Sequence, residues 1–238
     1  LPPPSAPPPP DRVVAVTPPA WTPESDGARL PVFPLGVVLF PGTPLPLHLF
    51  EPRYRQLLTD IEEGDRRFAI LTAIPGVGER DLPAGRVGCV AQLTDVDRLP
   101  DGRANIIVAG GPRFTLQRFV ADPAPYHVAD VTWLTDTPVA SHVALAVTAE
   151  EVAANFRRVI RAVQEVNGLT EPLPTLPDDP TQLAWSIGAM IDLDVEARYQ
   201  LLADRAPASR LARLDTLLRK VLPELELRAA MARGSRGG

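Results

Sequence analysis

The run Leu30-Pro31-Val32-Phe33-Pro34-Leu35-Gly36-Val37-Val38-Leu39-Phe40-Pro41-Gly42, followed by Leu45-Pro46-Leu47-His48-Leu49-Phe50-Glu51-Pro52-Arg53-Tyr54, decides the fold. Short apolar stretches broken by proline and glycine read as strand, loop, strand and helix start. The helix opens at Pro52, where a missing backbone donor costs nothing, and stops at Gly64. Within it Tyr54, Leu57, Leu58 and Ile61 recur at the spacing of one core-facing stripe. Downstream the same punctuation predicts strands over 67–73, 86–97, 104–109, 113–120 and 127–135. Leu99-Pro100-Asp101-Gly102-Arg103 supplies the Asp-Gly step of a tight hairpin between two of them.

From Thr137 the spacing turns helical. Val139, Val143, Val147, Phe156, Ile160 and Val163 suggest the seam of one long helix, with Pro138 in its first turn and Asn167-Gly168 as its left-handed stop. Further helices are predicted over 180–191, 195–203 and 207–222. Leu211, Leu214, Leu218 and Val221 form the stripe of the last, and Pro223 is expected to kink or stop it. The expected organisation is a disordered proline-rich tail over 1–27, a β-barrel subdomain over 28–136, a helical subdomain over 137–232 and a disordered tail over 233–238. Seven prolines among the first ten residues deny the opening the donors that ladders need, and they argue against a secretory signal.

Composition removes several chemistries. The 238 residues carry 24 basic and 29 acidic side chains, a net charge of −5 that disfavours nucleic acid. Lys220 is the one lysine, followed by Val221 and preceded by no glycine loop, so no ATP-binding P-loop is present. A serine-lysine pair would have only that residue to use. Cys89 stands alone and reads as a buried core residue, which excludes an internal disulfide and a cysteine zinc site. His48, His127 and His142 fall on separate elements without metal-ligand spacing, and Ser141-His142 are neighbours that cannot face each other on a helix. Asp95 and Asp97 share a strand face and read as solvated carboxylates. No apolar run approaches a membrane span, so the expected address is cytoplasmic. No cofactor and no metal are expected.

Phe-Pro-Leu at 33–35, Leu-Phe-Pro at 39–41 and Phe-Glu-Pro-Arg-Tyr at 50–54 stand in the order found in one family. With Glu63-Gly64-Asp65, Val87-Gly88, the hairpin at 99–103 and Gly111-Pro112-Arg113-Phe114, the chain resembles the amino-terminal, substrate-binding domain of the ATP-dependent protease Lon over about 30–227. The resemblance implies an α+β fold: a PUA-like six-stranded β pseudo-barrel with one helix, then a carboxy-terminal helical bundle. It implies a non-catalytic module that binds unfolded or apolar polypeptide segments, serves a protease or chaperone as adaptor, and self-associates. Names of the peptidase S16 kind would be inherited from the full-length enzyme. A PUA-like RNA-binding module and an uncharacterised hydrolase are the alternatives.

Candidate guest contacts are Phe33, Leu35, Val37, Leu39, Phe40, Pro41, Leu47, Arg53 and Tyr54. An apolar cleft between barrel and helices, framed by prolines that keep an edge from pairing indiscriminately, would take the side chains of an extended guest. The same apolar residues are also what a barrel core demands. Glu51, Arg53 and Tyr54 could equally fix the helix against the barrel.

Overall fold

The computed structural model describes residues 26–236. It is an α+β fold in two layers. Six strands, β1 (Gly27–Leu35), β2 (Pro44–Leu49), β3 (Arg67–Thr72), β4 (Val87–Arg98), β5 (Ala104–Val120) and β6 (His127–Trp133), lie in the order β2-β5-β4-β3-β1-β6. A further β5–β6 pairing closes five of them into a ring, leaving β2 outside it along the first half of β5. The sheet is mixed, because β1 runs parallel to β3 and every other pairing is antiparallel. Helix α1 (Pro52–Glu63) covers the barrel with Tyr54, Leu57, Leu58 and Ile61, the stripe its sequence predicted.

The expected break between 109 and 113 does not occur. β5 is one strand of 17 residues that passes straight through Gly110-Gly111-Pro112. What keeps it continuous is the turn before β2: Gly42 N–H donates to the Gly110 carbonyl and Gly110 N–H to the Thr43 carbonyl, so the ladder changes partner instead of ending. At Gly110 a Cβ would stand 1.9 Å from the Phe40 carbonyl oxygen, closer than any side chain tolerates. The 99–103 hairpin is as predicted, with Gly102 at φ 82°. The strand β1 already includes Gly27, one residue inside the expected tail, while positions 1–25 of that tail lie outside the described residues.

The helical layer comprises α2 (His142–Asn167), α3 (Pro180–Met190), α4 (Val195–Ala203) and α5 (Pro207–Arg236). Ser141, Asp179 and Asp194 cap the first three by accepting an amide of the first turn, and Gly168 ends α2 at φ 70°. Three expectations fail here: Pro138, expected in the first turn, precedes α2, which opens at His142 behind its Ser141 cap, and two more concern α2 and α5. Val143 and Val147 are exposed, because Leu145, Ala149, Val152, Phe156 and Val159 face inward and that heptad-like spacing outranks the valine pattern. Pro223 neither stops α5 nor confines it to 222, and the helix occupies 233–236, expected to be a tail.

The reason is packing. Beyond Pro223, Ala229 remains buried and α5 stays zipped to α2 by Glu151–Arg219, Arg158–Glu226 and Glu165–Arg233. Each pair joins positions 68 apart in sequence and recurs every seven residues on both helices, so α2 and α5 run parallel in the manner of a coiled coil. Burial along that seam offsets the cost of about 3 kcal/mol that an interior proline carries. Replacing Gly110 by Ala should destabilise the protein by more than about 3 kcal/mol, whereas Gly36→Ala, where the added carbon meets nothing within 4 Å, should stay within about 0.5 kcal/mol. Urea unfolding of the two variants checks the contrast.

Candidate functional site

Among the described residues, the barrel and the helices meet across packed aromatic and charged side chains. Phe40 stacks on Trp185 of α3, ring centroids 5.6 Å apart, and both side chains are buried. Beside them lies a charged cluster. Arg210 of α5 is 0% exposed; it donates to both carboxylate oxygens of Asp136, at 2.7 and 2.6 Å, and to the Asp204 carbonyl at 2.9 Å. Arg113 of β5 donates to the Leu202 and Asp204 carbonyls and to Asp136. The Trp185 ring receives both guanidinium groups, 4.1 Å from Arg210 and 5.2 Å from Arg113. Burial pulls the Arg113 pKa down, and the Asp136 carboxylate opposes that fall.

A second cluster ties α1 to the barrel. Arg53 grips Glu79 through two hydrogen bonds of 2.6 and 2.9 Å and Glu51 through a third of 2.9 Å. The ring of His127 closes on Glu79 at 2.8 Å. The Arg53 guanidinium holds the Glu79 carboxyl below its ordinary range, with His127 adding to the effect. Tyr54 sits under this network against Phe33, its hydroxyl buried without a hydrogen-bond partner and its pKa pushed up by that burial.

The nine expected contact residues therefore do not converge on one site. Phe33, Leu39, Phe40 and Tyr54 are at most 6% exposed and fill the core. Leu35, Pro41, Leu47 and Arg53 are half-buried, and Val37 is 41% exposed. Arg53 and Tyr54 fix the helix, as one of their two readings held. Cys89 is fully buried, with its thiol pKa raised accordingly, and Ser141 is occupied as a helix cap. Among the described residues no group of three or more His, Cys, Asp or Glu side chains is placed to hold a metal ion, and no helix is long and apolar enough to cross a membrane.

An apolar recess does exist, elsewhere. A cavity of about 350 Å³ opens where the linker out of the barrel meets the first turns of α2 and α5. Pro138, Val139, Ala144, Leu145, Pro207 and Ala208 dominate its wall. Its three hydroxyls are already engaged: Thr137 donates to the Arg205 carbonyl, Thr148 to the Ala144 carbonyl, and Ser141 accepts from the Ala144 amide. A second recess of about 270 Å³ between α2 and α5 is polar, lined by Arg158, Arg161, Glu165, Glu226 and Arg233.

Sequence reasoning placed neither the cavity nor the interface cluster. Arg113 stands within the Gly-Pro-Arg-Phe signature, but nothing local in the sequence ties it to Asp136 and Arg210. Losing Arg210 leaves Asp136 and Trp185 with one guanidinium between them, that of Arg113, so Arg210→Met should cost about 3–5 kcal/mol in urea unfolding. Glu79 has a folded pKa below the ordinary 4.5, so its stabilisation is complete above that value and is lost as pH falls through the depressed folded one. Glu79→Gln should thus flatten the acid limb of the stability curve, as followed by urea midpoints between pH 6 and about 3.

The ATP-dependent protease La (LON) substrate-binding domain matches residues 29–220. The chain is 32% identical over 208 residues to a Lon protease of Roseiflexus castenholzii and 26% over 198 residues to one of Solibacter usitatus. These alignments cover 83% and 82% of this chain but 24% of each relative, so the chain spans about a quarter of their length. Among solved structures, a Lon N-terminal domain protein from Xanthomonas campestris superposes with a TM-score of 0.55 at 25% identity, covering 79% of this chain and 96% of that one. The N-terminal domain of a Mycobacterium avium complex Lon protease gives 0.59 at 21% identity, covering 81% and 98%, a likeness of fold.

Proposed function

The chain belongs to the ATP-dependent protease La (LON) substrate-binding domain family, and on that premise we propose that it holds exposed apolar segments of other polypeptides and breaks no bonds itself. It acts in the cytoplasm as an adaptor that presents such segments to a protease or chaperone, with self-association as a further property. The observation that carries this reading is the cavity beside the linker. Its wall is mostly alkyl and proline carbon, and each of its three side-chain hydroxyls already makes a hydrogen bond within the protein, so apolar side chains are the guests it suits best. About 350 Å³ accommodates one or two apolar side chains of a guest.

Leu35, Val37, Pro41, Leu47 and Arg53 are the expected contacts that a guest can touch without opening the core. Phe33, Leu39, Phe40 and Tyr54 serve from beneath, holding the surface in shape. The net charge of −5 favours a protein guest over a nucleic acid.

Filling the cavity tests the reading. With a reduced, carboxymethylated and therefore permanently unfolded polypeptide as probe, Ala144→Leu/Ala208→Leu should weaken binding at least tenfold while the circular dichroism spectrum is unchanged, and the probe should be recovered uncut. Undiminished binding by the filled variant, or cleavage by the purified protein, would overturn it.

A further inference from the structure

The outer strand β2 presents a surface with acceptors and almost no donors, and we propose that this face, formed with β5 and β4, docks extended polypeptide segments that combine apolar with basic side chains. The inference rests on the polypeptide-binding reading and names the guest's chemistry at a contact face separate from the cavity.

The backbone sets the first half of the argument. The bond from Gly110 N–H to the Thr43 carbonyl makes Pro44 and Ala109 a non-hydrogen-bonded pair, and alternation puts Pro46/Ile107 and His48/Asn105 in the same class. The N–H and C=O groups of residues 44, 46 and 48 therefore point away from β5, toward the side of β2 on which no strand lies among the described residues. Two of those three residues are proline and have no N–H. The open edge offers three carbonyls and one amide, that of His48. A second strand edge of ordinary composition, with donors and acceptors in equal number, pairs poorly there; a guest rich in donors does not.

Side chains on the same face repeat the pattern. Asp97 can only accept, so the 3.3 Å contact from Asn105 Nδ2 fixes the amide, and Asn105 Oδ1 is left facing His48 Nδ1 at 2.8 Å. His48 Nδ1 must then be the donor. In the neighbouring row Ile107 stands between Pro46 on β2 and Asp95 on β4. Asp95 is exposed and has no ion-pair partner among the described residues, whereas Arg98 and Arg103 are tied to Glu62 and Asp101. Apolar contact comes from Ile107, 40% exposed, and from Phe50, 60% exposed and stacked on the His48 ring. Carbon surface bordered by unanswered carboxylate and carbonyl oxygen matches a segment of leucine-like residues interspersed with arginine or lysine.

Fluorescein-labelled thirteen-residue peptides alternating Leu with Arg, Leu with Ser or Leu with Glu are the probes, titrated at 50 mM salt into the full chain. The Leu/Arg peptide should bind at least tenfold more tightly than the Leu/Glu peptide. Asp95→Asn/Asp97→Asn should close that gap to under threefold while leaving Leu/Ser affinity unchanged. The same charge change made elsewhere, Glu171→Gln/Asp178→Asn, should keep the gap, which separates this face from the attraction of the overall charge. Equal affinity for the Leu/Arg and Leu/Glu peptides, or a gap that survives in the Asp95/Asp97 variant, overturns the proposal. Binding of Leu/Ser without any charge preference would do so while sparing the polypeptide-binding reading, and failure of all three peptides together with the unfolded probe would sink both.

Discussion

Two guanidinium groups buried against one carboxylate and one indole hold the two layers of this protein together. Arg113 belongs to the barrel and Arg210 to the last helix, Asp136 lies in the linker between the layers, and Trp185 beneath them comes from a third helix. Burying two cations on one anion is unfavourable unless their remaining donors are satisfied, and the Leu202 and Asp204 carbonyls satisfy much of that demand. Those carbonyls are available only because α4 ends at Ala203, so the stop of one helix supplies the acceptors for the junction. Around this junction the large aromatic side chains are buried, and two stretches of apolar surface lie beyond it: the cavity where the linker leaves the barrel, and the outer face of β2.

That arrangement explains how far the sequence could be read. Local signals were legible: the Asp101-Gly102 hairpin, the α1 stripe, the Gly168 stop of α2, and an α+β order of strands before helices. Signals that depend on distant partners were not. Pro223 announces a stop unless one knows that α2 lies alongside with three complementary charges at heptad intervals. Gly110-Gly111-Pro112 announces a break unless the 40–43 turn is present to take over the ladder. Val143 and Val147 look like core by type, yet helix phase leaves them in solvent.

The candidate site divides in the same way. Phe33, Phe40 and Tyr54 stand out in the sequence because large aromatic residues between prolines are conspicuous, and they are conspicuous because the core and its junction need them. Small residues shape the recess: Ala144, Ala208, Pro138 and Pro207 leave a hollow by being short. A cavity is made by what is missing, and a single sequence carries no direct sign of it. The prolines of β2 were anticipated as a guard against indiscriminate pairing; the register adds that they also leave a row of acceptors facing outward.

The central claim is that folded surface, not catalytic machinery, is what this domain contributes to the handling of other polypeptides. Hydrogen–deuterium exchange of the protein with and without a permanently unfolded polypeptide tests it most directly, because it reports where contact occurs and the mixture can be assayed for cleavage in the same experiment. The account predicts slowed exchange over 44–50, 104–107 and 137–148, little change across 152–162 in the helical seam, and a guest recovered intact. Uniformly unaltered exchange at saturating guest, or fragments of the guest appearing with time, would contradict it.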